Sequence, residues 1–264
     1  MMAGNVSVLE VWILSYFLIL CRVAAIVFTV PAFSSQNMPR LVKVGLSVAL
    51  ATFWFFDNEL APSDQTFQLA ANPRWIALGL AVAREIIFGA FLGYTFGLLL
   101  LPFRLAGSYI GQEVGFTMSE LTDPTSHGTV NVFGQFMEVL AMILFFSLDI
   151  HHLLFTLMNG TFARIPIGGG VTVLPVDIIS TSVAEAHRQG IILVAPAAIV
   201  MFSTIVVLSY VAKTSPQLNL FSVGMNIRLV AGLFAMFVFL PEMLSFGERL
   251  LSRGAEVFRL IMTS

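Results

Sequence analysis

Charge is scarce in this chain of 264 residues: 11% of them are charged, 13 Lys and Arg against 15 Asp and Glu, where a soluble domain carries about 25%. The shortage excludes a compact water-soluble globule. Hydrophobic residues make up 58% of the chain, with 25 Phe and 12 Met among them, and too little polar surface remains to cover them. The few cations are scattered without runs, so no patch can neutralise a phosphate backbone, and nucleic acid is excluded as a partner. Cysteine is nearly absent: a lone Cys21 permits neither an intrachain disulfide nor a cage of thiolates around a metal. A basic n-region is also missing from Met1 to Glu10, and the apolar stretch 11–30 is too long for a typical signal h-region. That stretch is expected to remain in the mature protein.

What is present is apolar, helix-forming sequence. Roughly 20 apolar residues cross about 30 Å of hydrocarbon, and stretches of that kind lie at about 11–30, 41–57, 75–103, 132–158, 189–212 and 227–246. Breakers separate them: Pro31, Pro39, Pro62, Asn72 with Pro73, the glycine-rich stretch 107–128, Pro166 with Gly168 to Gly170, and Pro216. No interruption is long or polar enough for a soluble domain. The pattern predicts one all-α integral membrane domain over 1–264, built of helical hairpins with about six apolar segments. Arg22, Arg84, Glu85, Glu138 and Asp149 interrupt these segments, and a charge at a helix centre costs about 2.5 to 3.5 kcal/mol on insertion scales. Such charges should face protein or water, as in a buried subunit of a larger assembly. The last stretch, 241–264, alternates charges with Leu250, Leu251, Val257, Phe258 and Ile261. It reads as an amphipathic helix that either closes the bundle or meets a partner.

Candidate chemistry is thin. Neighbouring His151 and His152 diverge by about 100° on a helix, so they cannot chelate as an i, i+4 pair does. Asp149 and His152 share a face, which suits a proton relay or simply a satisfied polar pair. Gly168-Gly169-Gly170 lacks the Lys-Ser/Thr of a phosphate loop and reads as a flexible turn. Arg84 and Glu85 point apart, each toward its own partner, with buried ion pairs as the simplest role. No nucleophile, base or metal set appears at helical spacing, so no catalytic residue, metal or cofactor is assigned.

The stretch 106–134 is the most informative. Gly107, Gly111, Gly115, Gly128 and Gly134 alternate with Tyr109, Ile110, Phe116, Met118 and Leu121. It is too glycine-rich for a firm transmembrane helix and too apolar for an exposed loop. Irregular backbone at membrane depth survives only where protein or a water-filled cavity covers it, so this stretch is expected to be a loop inside a pore or pocket.

Gln112-Glu113-Val114-Gly115-Phe116-Thr117-Met118 running into Asp123-Pro124, then His151-His152-Leu153, then Lys213-Thr214-Ser215-Pro216-Gln217-Leu218-Asn219 with Gly224, are similar to the FliR/SctT family of type III export gate subunits. Arg22, Pro31, Pro39, Arg40, Lys43, Glu85, Gly89 and Gly93 also match, in collinear order over about residues 10–250. The family usually has Asn-Gly before the histidine, where this chain has Asp149-Ile150, and often a proline where Asn226 stands.

The resemblance implies a structural subunit, not an enzyme, joining FliP-like and FliQ-like chains, with an FlhB-like neighbour, in the inner membrane at the flagellar basal body. That gate passes unfolded flagellar proteins, and the family's pore plug falls on Gly115, Phe116, Met118 and Leu121. The same resemblance fits an injectisome subunit. A small-solute transporter is the remaining alternative, since 29–47 and 213–232 both run from an apolar helix through proline to a cation.

Overall fold

Val11, Ser15, Leu18, Arg22 and Ile26 fall on one buried stripe of the first helix, α1 (Val8–Thr29), the spacing that a 3.6-residue period lays along one face. The computed structural model describes residues 8–34, 38–56, 64–71, 75–115, 132–168, 176–215 and 220–263. Every element among them is a helix. After α1 come α2 (Pro31–Ser34), α3 (Arg40–Phe56), α4 (Asp64–Ala71), α5 (Trp75–Gly97), α6 (Leu101–Val114), α7 (Val132–Ser147), α8 (Ile150–Arg164), α9 (Val176–Thr214) and α10 (Leu220–Thr263).

The protein is an all-α membrane protein. Four of its helical stretches are long and apolar enough to cross a bilayer: Val8–Thr29, Trp75–Gly97, Ser180–Thr214 and Val223–Glu256. The broken pair α7 and α8 makes up to a fifth. At 1.5 Å per residue, the 22 residues of α1 reach roughly 33 Å, enough for the hydrocarbon core.

The six apolar segments expected from sequence are redrawn at four places. The segment 75–103 divides at Leu98 to Leu100 because Pro102, in the first turn of α6, has no N–H to continue the helix of α5. The segment 132–158 divides at Asp149, which takes a left-handed φ of 54°. The segment 189–212 lengthens to α9, whose polar first turns hide from a hydropathy reading. The segment 227–246 and the amphipathic stretch 241–264 are one helix, α10, of 44 residues with Pro241 inside it.

The chain divides into two compact units. In the first, residues 1–98, 151–180 and 258–264, α1 packs chiefly on α5 and α3. Small residues set the α1–α5 approach: a Cβ on Gly89 would meet the backbone oxygen of Arg22, and one on Gly93 would meet Thr29, the close apposition that small residues give membrane helices. Aromatic edges close the α1–α3 side, with Trp12 and Tyr16 at 5.5 and 5.3 Å from Phe55.

The second unit, residues 99–150 and 181–257, is organised around α6 and α7. Residues 106–114, expected to be loop, are helical. Their glycines serve packing: a Cβ on Gly107 would lie 2.7 Å from both Gly134 Cα and the Phe133 carbonyl oxygen. Backbone cannot yield as a side-chain tip can, so Gly107→Ala should cost about 1 to 3 kcal/mol through overpacking and Gly107→Val more, read as lower chain yield in membranes. Undiminished yield for Gly107→Val would show that the pair separates freely. Along α10, Gly247 faces Phe103 and Leu144 at similarly short range, which ties the stretch after Pro241 into this unit.

Candidate functional site

Arg22 stands on the buried stripe of α1, and Glu85 on the stripe of α5 between Ala81 and Gly89. Both side chains are 0% exposed, and Arg22 Nε donates to Glu85 Oε2 at 2.6 Å. Two charges at that depth lose hydration worth several kcal/mol each, which is recovered only if further hydrogen bonds complete the site. Those bonds come from the end of α8. Arg22 Nη1 donates to the Ile165 carbonyl at 3.1 Å and, more distantly, to that of Thr161 at 3.4 Å. The Thr161 carbonyl already accepts the Ile165 N–H at 2.9 Å. The Ile165 carbonyl follows the last turn of α8, where no further turn supplies a donor and the helix dipole favours a cation, so Arg22 meets the C-terminal end of α8 from another helix. Glu85 uses its second oxygen, Oε1, to accept the Gly168 N–H at 3.2 Å.

The guanidinium carbon lies 4.8 Å from the ring centre of Phe162 and 5.2 Å from that of Phe88. These are cation–π distances, worth about 2 kcal/mol where water is excluded. Arg22 Nη2, also buried, has no hydrogen-bond partner among the described residues, so the aromatic faces and Glu85 carry what remains of its stabilisation. Gly168 lies in a turn with φ of 72°, and a Cβ there would sit 3.1 Å from Thr66 and 3.3 Å from Leu69, so the position suits glycine. Gly169 and Gly170 lie outside the described residues.

The other sequence-singled charges are not gathered with this pair. Arg84 turns away from Glu85, as adjacent helical residues do, and its buried Nη1 has no partner among the described residues. Glu138 accepts from Arg104 at 2.8 Å, but the two side chains are 39% and 58% exposed in the chain. Asp149 is exposed at the α7–α8 break, and its left-handed φ of 54° is one that Asp, like Asn, tolerates better than other side chains. The rings of His151 and His152 lie 4.2 Å apart, so the divergence expected of adjacent helical residues does not keep these two side chains separate.

Of the family-signature positions, Pro39 offers its carbonyl to the N–H groups of Val42 and Lys43 at the start of α3, and Gly224 is buried on α10. Gly115 caps α6 with a left-handed φ of 101°, its N–H shared between the Gly111 and Gln112 carbonyls. Phe116, Met118, Leu121, Asp123, Pro124, Pro216, Gln217 and Asn219 lie outside the described residues. Phe88, Phe162 and the carbonyls of Thr161 and Ile165 complete the site without a signal in charge or hydropathy. Only a phenylalanine three residues beyond Glu85 hinted at them.

Residues 13–254 match the family described as bacterial export proteins, family 1. The chain belongs to this family. Among its relatives, the flagellar biosynthetic protein FliR of Escherichia coli (strain K12) is 31% identical over 255 residues, covering 95% of this chain and 92% of the relative. The FliR of Pectobacterium carotovorum is 26% identical over 257 residues, 95% and 92% of the two chains. That of Bacillus subtilis (strain 168) is 25% identical over 228 residues, 85% of each. This family 1 export protein is therefore a membrane component of a flagellar export apparatus, not an enzyme.

Proposed function

We propose that the chain is a structural subunit of the flagellar type III export gate in the bacterial inner membrane. With FliP-like and FliQ-like subunits, and an FlhB-like neighbour, it forms the pore through which unfolded flagellar proteins leave, and Gly115 to Leu121 plug that pore when it is closed. The observation that carries the reading is the end of α6: a helix pinned to α7 at Gly107 and Gly134 closes on left-handed Gly115 just before Phe116, Met118 and Leu121. An apolar segment that follows a closely packed helix pair suits a seal that closes by dewetting and gives way to a passing chain. The long helices suit a membrane-embedded subunit, since Phe202 on α9 and Phe237 on α10 are 67% and 79% exposed in the chain, and lipid or partner helices cover such faces.

Expression tests this. Alone, the chain should be recovered poorly, and coexpression with FliP-like and FliQ-like chains should restore it and co-elute with it in mild detergent. A monodisperse, heat-stable monomer from solitary expression would contradict the proposal.

A further inference from the structure

We propose that Arg22 and Glu85 form a positioning pair that fixes the chain at the foot of α8, from Ile165 to Gly168, through the direction of their hydrogen bonds and not merely through opposite charge. An ion pair that only joined α1 to α5 would need one contact, the 2.6 Å bond from Arg22 Nε to Glu85 Oε2. Instead, each side chain also bonds the same short stretch: Arg22 Nη1 donates to the Ile165 carbonyl and Glu85 Oε1 accepts the Gly168 N–H. The two bonds have opposite polarity, a donor for a carbonyl and an acceptor for an amide, so they recognise the stretch in one register. The Gly168 position itself suits only glycine, because its φ is 72° and a Cβ would crowd Thr66 and Leu69.

The polarity separates the proposal from a plain ion pair. Exchanging the charges, with Arg22→Glu and Glu85→Arg together, keeps one cation and one anion in the same place. It then turns an acceptor toward the Ile165 carbonyl and a donor toward the Gly168 N–H, so neither bond can form. The amide of Glu85→Gln is near the carboxylate in shape but offers one acceptor oxygen to two donors, Arg22 Nε–H and Gly168 N–H.

The test is thiol labelling with N-ethylmaleimide in native membranes of cells coexpressing the FliP-like and FliQ-like chains. A Cys21→Ser background carries either Ile167→Cys at the held stretch or Ala51→Cys as a control, two buried positions. The exchanged pair should raise labelling at position 167 at least tenfold while position 51 stays protected. Parental labelling at 167 in the exchanged pair would overturn the proposal, since charge alone would then suffice. If the exchange also exposes position 51, Glu85→Gln decides. A rise confined to 167 supports the positioning role. No rise at 167, or a rise at both positions, overturns it.

Discussion

Glu85→Ala is expected to lower the yield and thermal stability of the folded chain sharply. The substitution strands the fully buried Arg22 guanidinium, and breaking a buried pair by removing one partner costs about 3 to 5 kcal/mol. It also removes the acceptor of the Gly168 N–H, and a buried amide left unsatisfied costs about 1 to 3 kcal/mol. Cation–π contact with Phe88 and Phe162 is already present in the parent and offsets none of this. Against a total stability of about 5 to 15 kcal/mol, such a loss leaves little folded chain. Glu138→Ala sets the scale from the other side: its pair with Arg104 is partly exposed, and exposed pairs are worth about 0 to 1 kcal/mol. Even removing both buried charges would not be neutral, because the Ile165 carbonyl and the Gly168 N–H would lose their partners. Membrane yield and melting of the detergent-extracted complex check this. Equal values for the parent and Glu85→Ala would show that the carboxylate is solvated.

Composition and hydropathy made the membrane class and the helical content legible, because 58% hydrophobic residues leave a chain few other solvents. Helix ends were harder to read. The amphipathic start of α9 holds itself with Arg188 Nη2 on Glu185 Oε1 at 2.7 Å, a polar surface that no search for apolar runs detects. The apolar stretch 227–246 and the charged stretch 241–264 differ in character, yet they form one helix, α10, that runs through Pro241, with Gly247 close to Phe103 and Leu144, residues distant in the chain. Arg22 and Glu85 stood out as costly charges, but nothing in their spacing of 63 residues links them. The glycines of 106–114 point equally to a loop and to close helix packing. Only the position of Gly134 beside Gly107 distinguishes the two.

Shortening the stretch Gly115 to Leu121, or substituting Met118→Asp, is expected to leave the proposed gate assembled and make it leaky. Apolar constrictions hold back ions because water withdraws from them, and a carboxylate at Met118 would bring water back. A thioether side chain suits such a seal, since it fills irregular gaps and yields to a passing chain. Glu138→Gln lies on α7, outside this stretch, and should leave the membrane tight. The decisive measurement is ion conductance of the reconstituted complex, or of cells carrying it at parental abundance. The account predicts conductance well above the parent for the shortened loop and for Met118→Asp. A tight membrane with the loop removed, at normal complex abundance, would contradict it and make this segment a packing element instead of a plug.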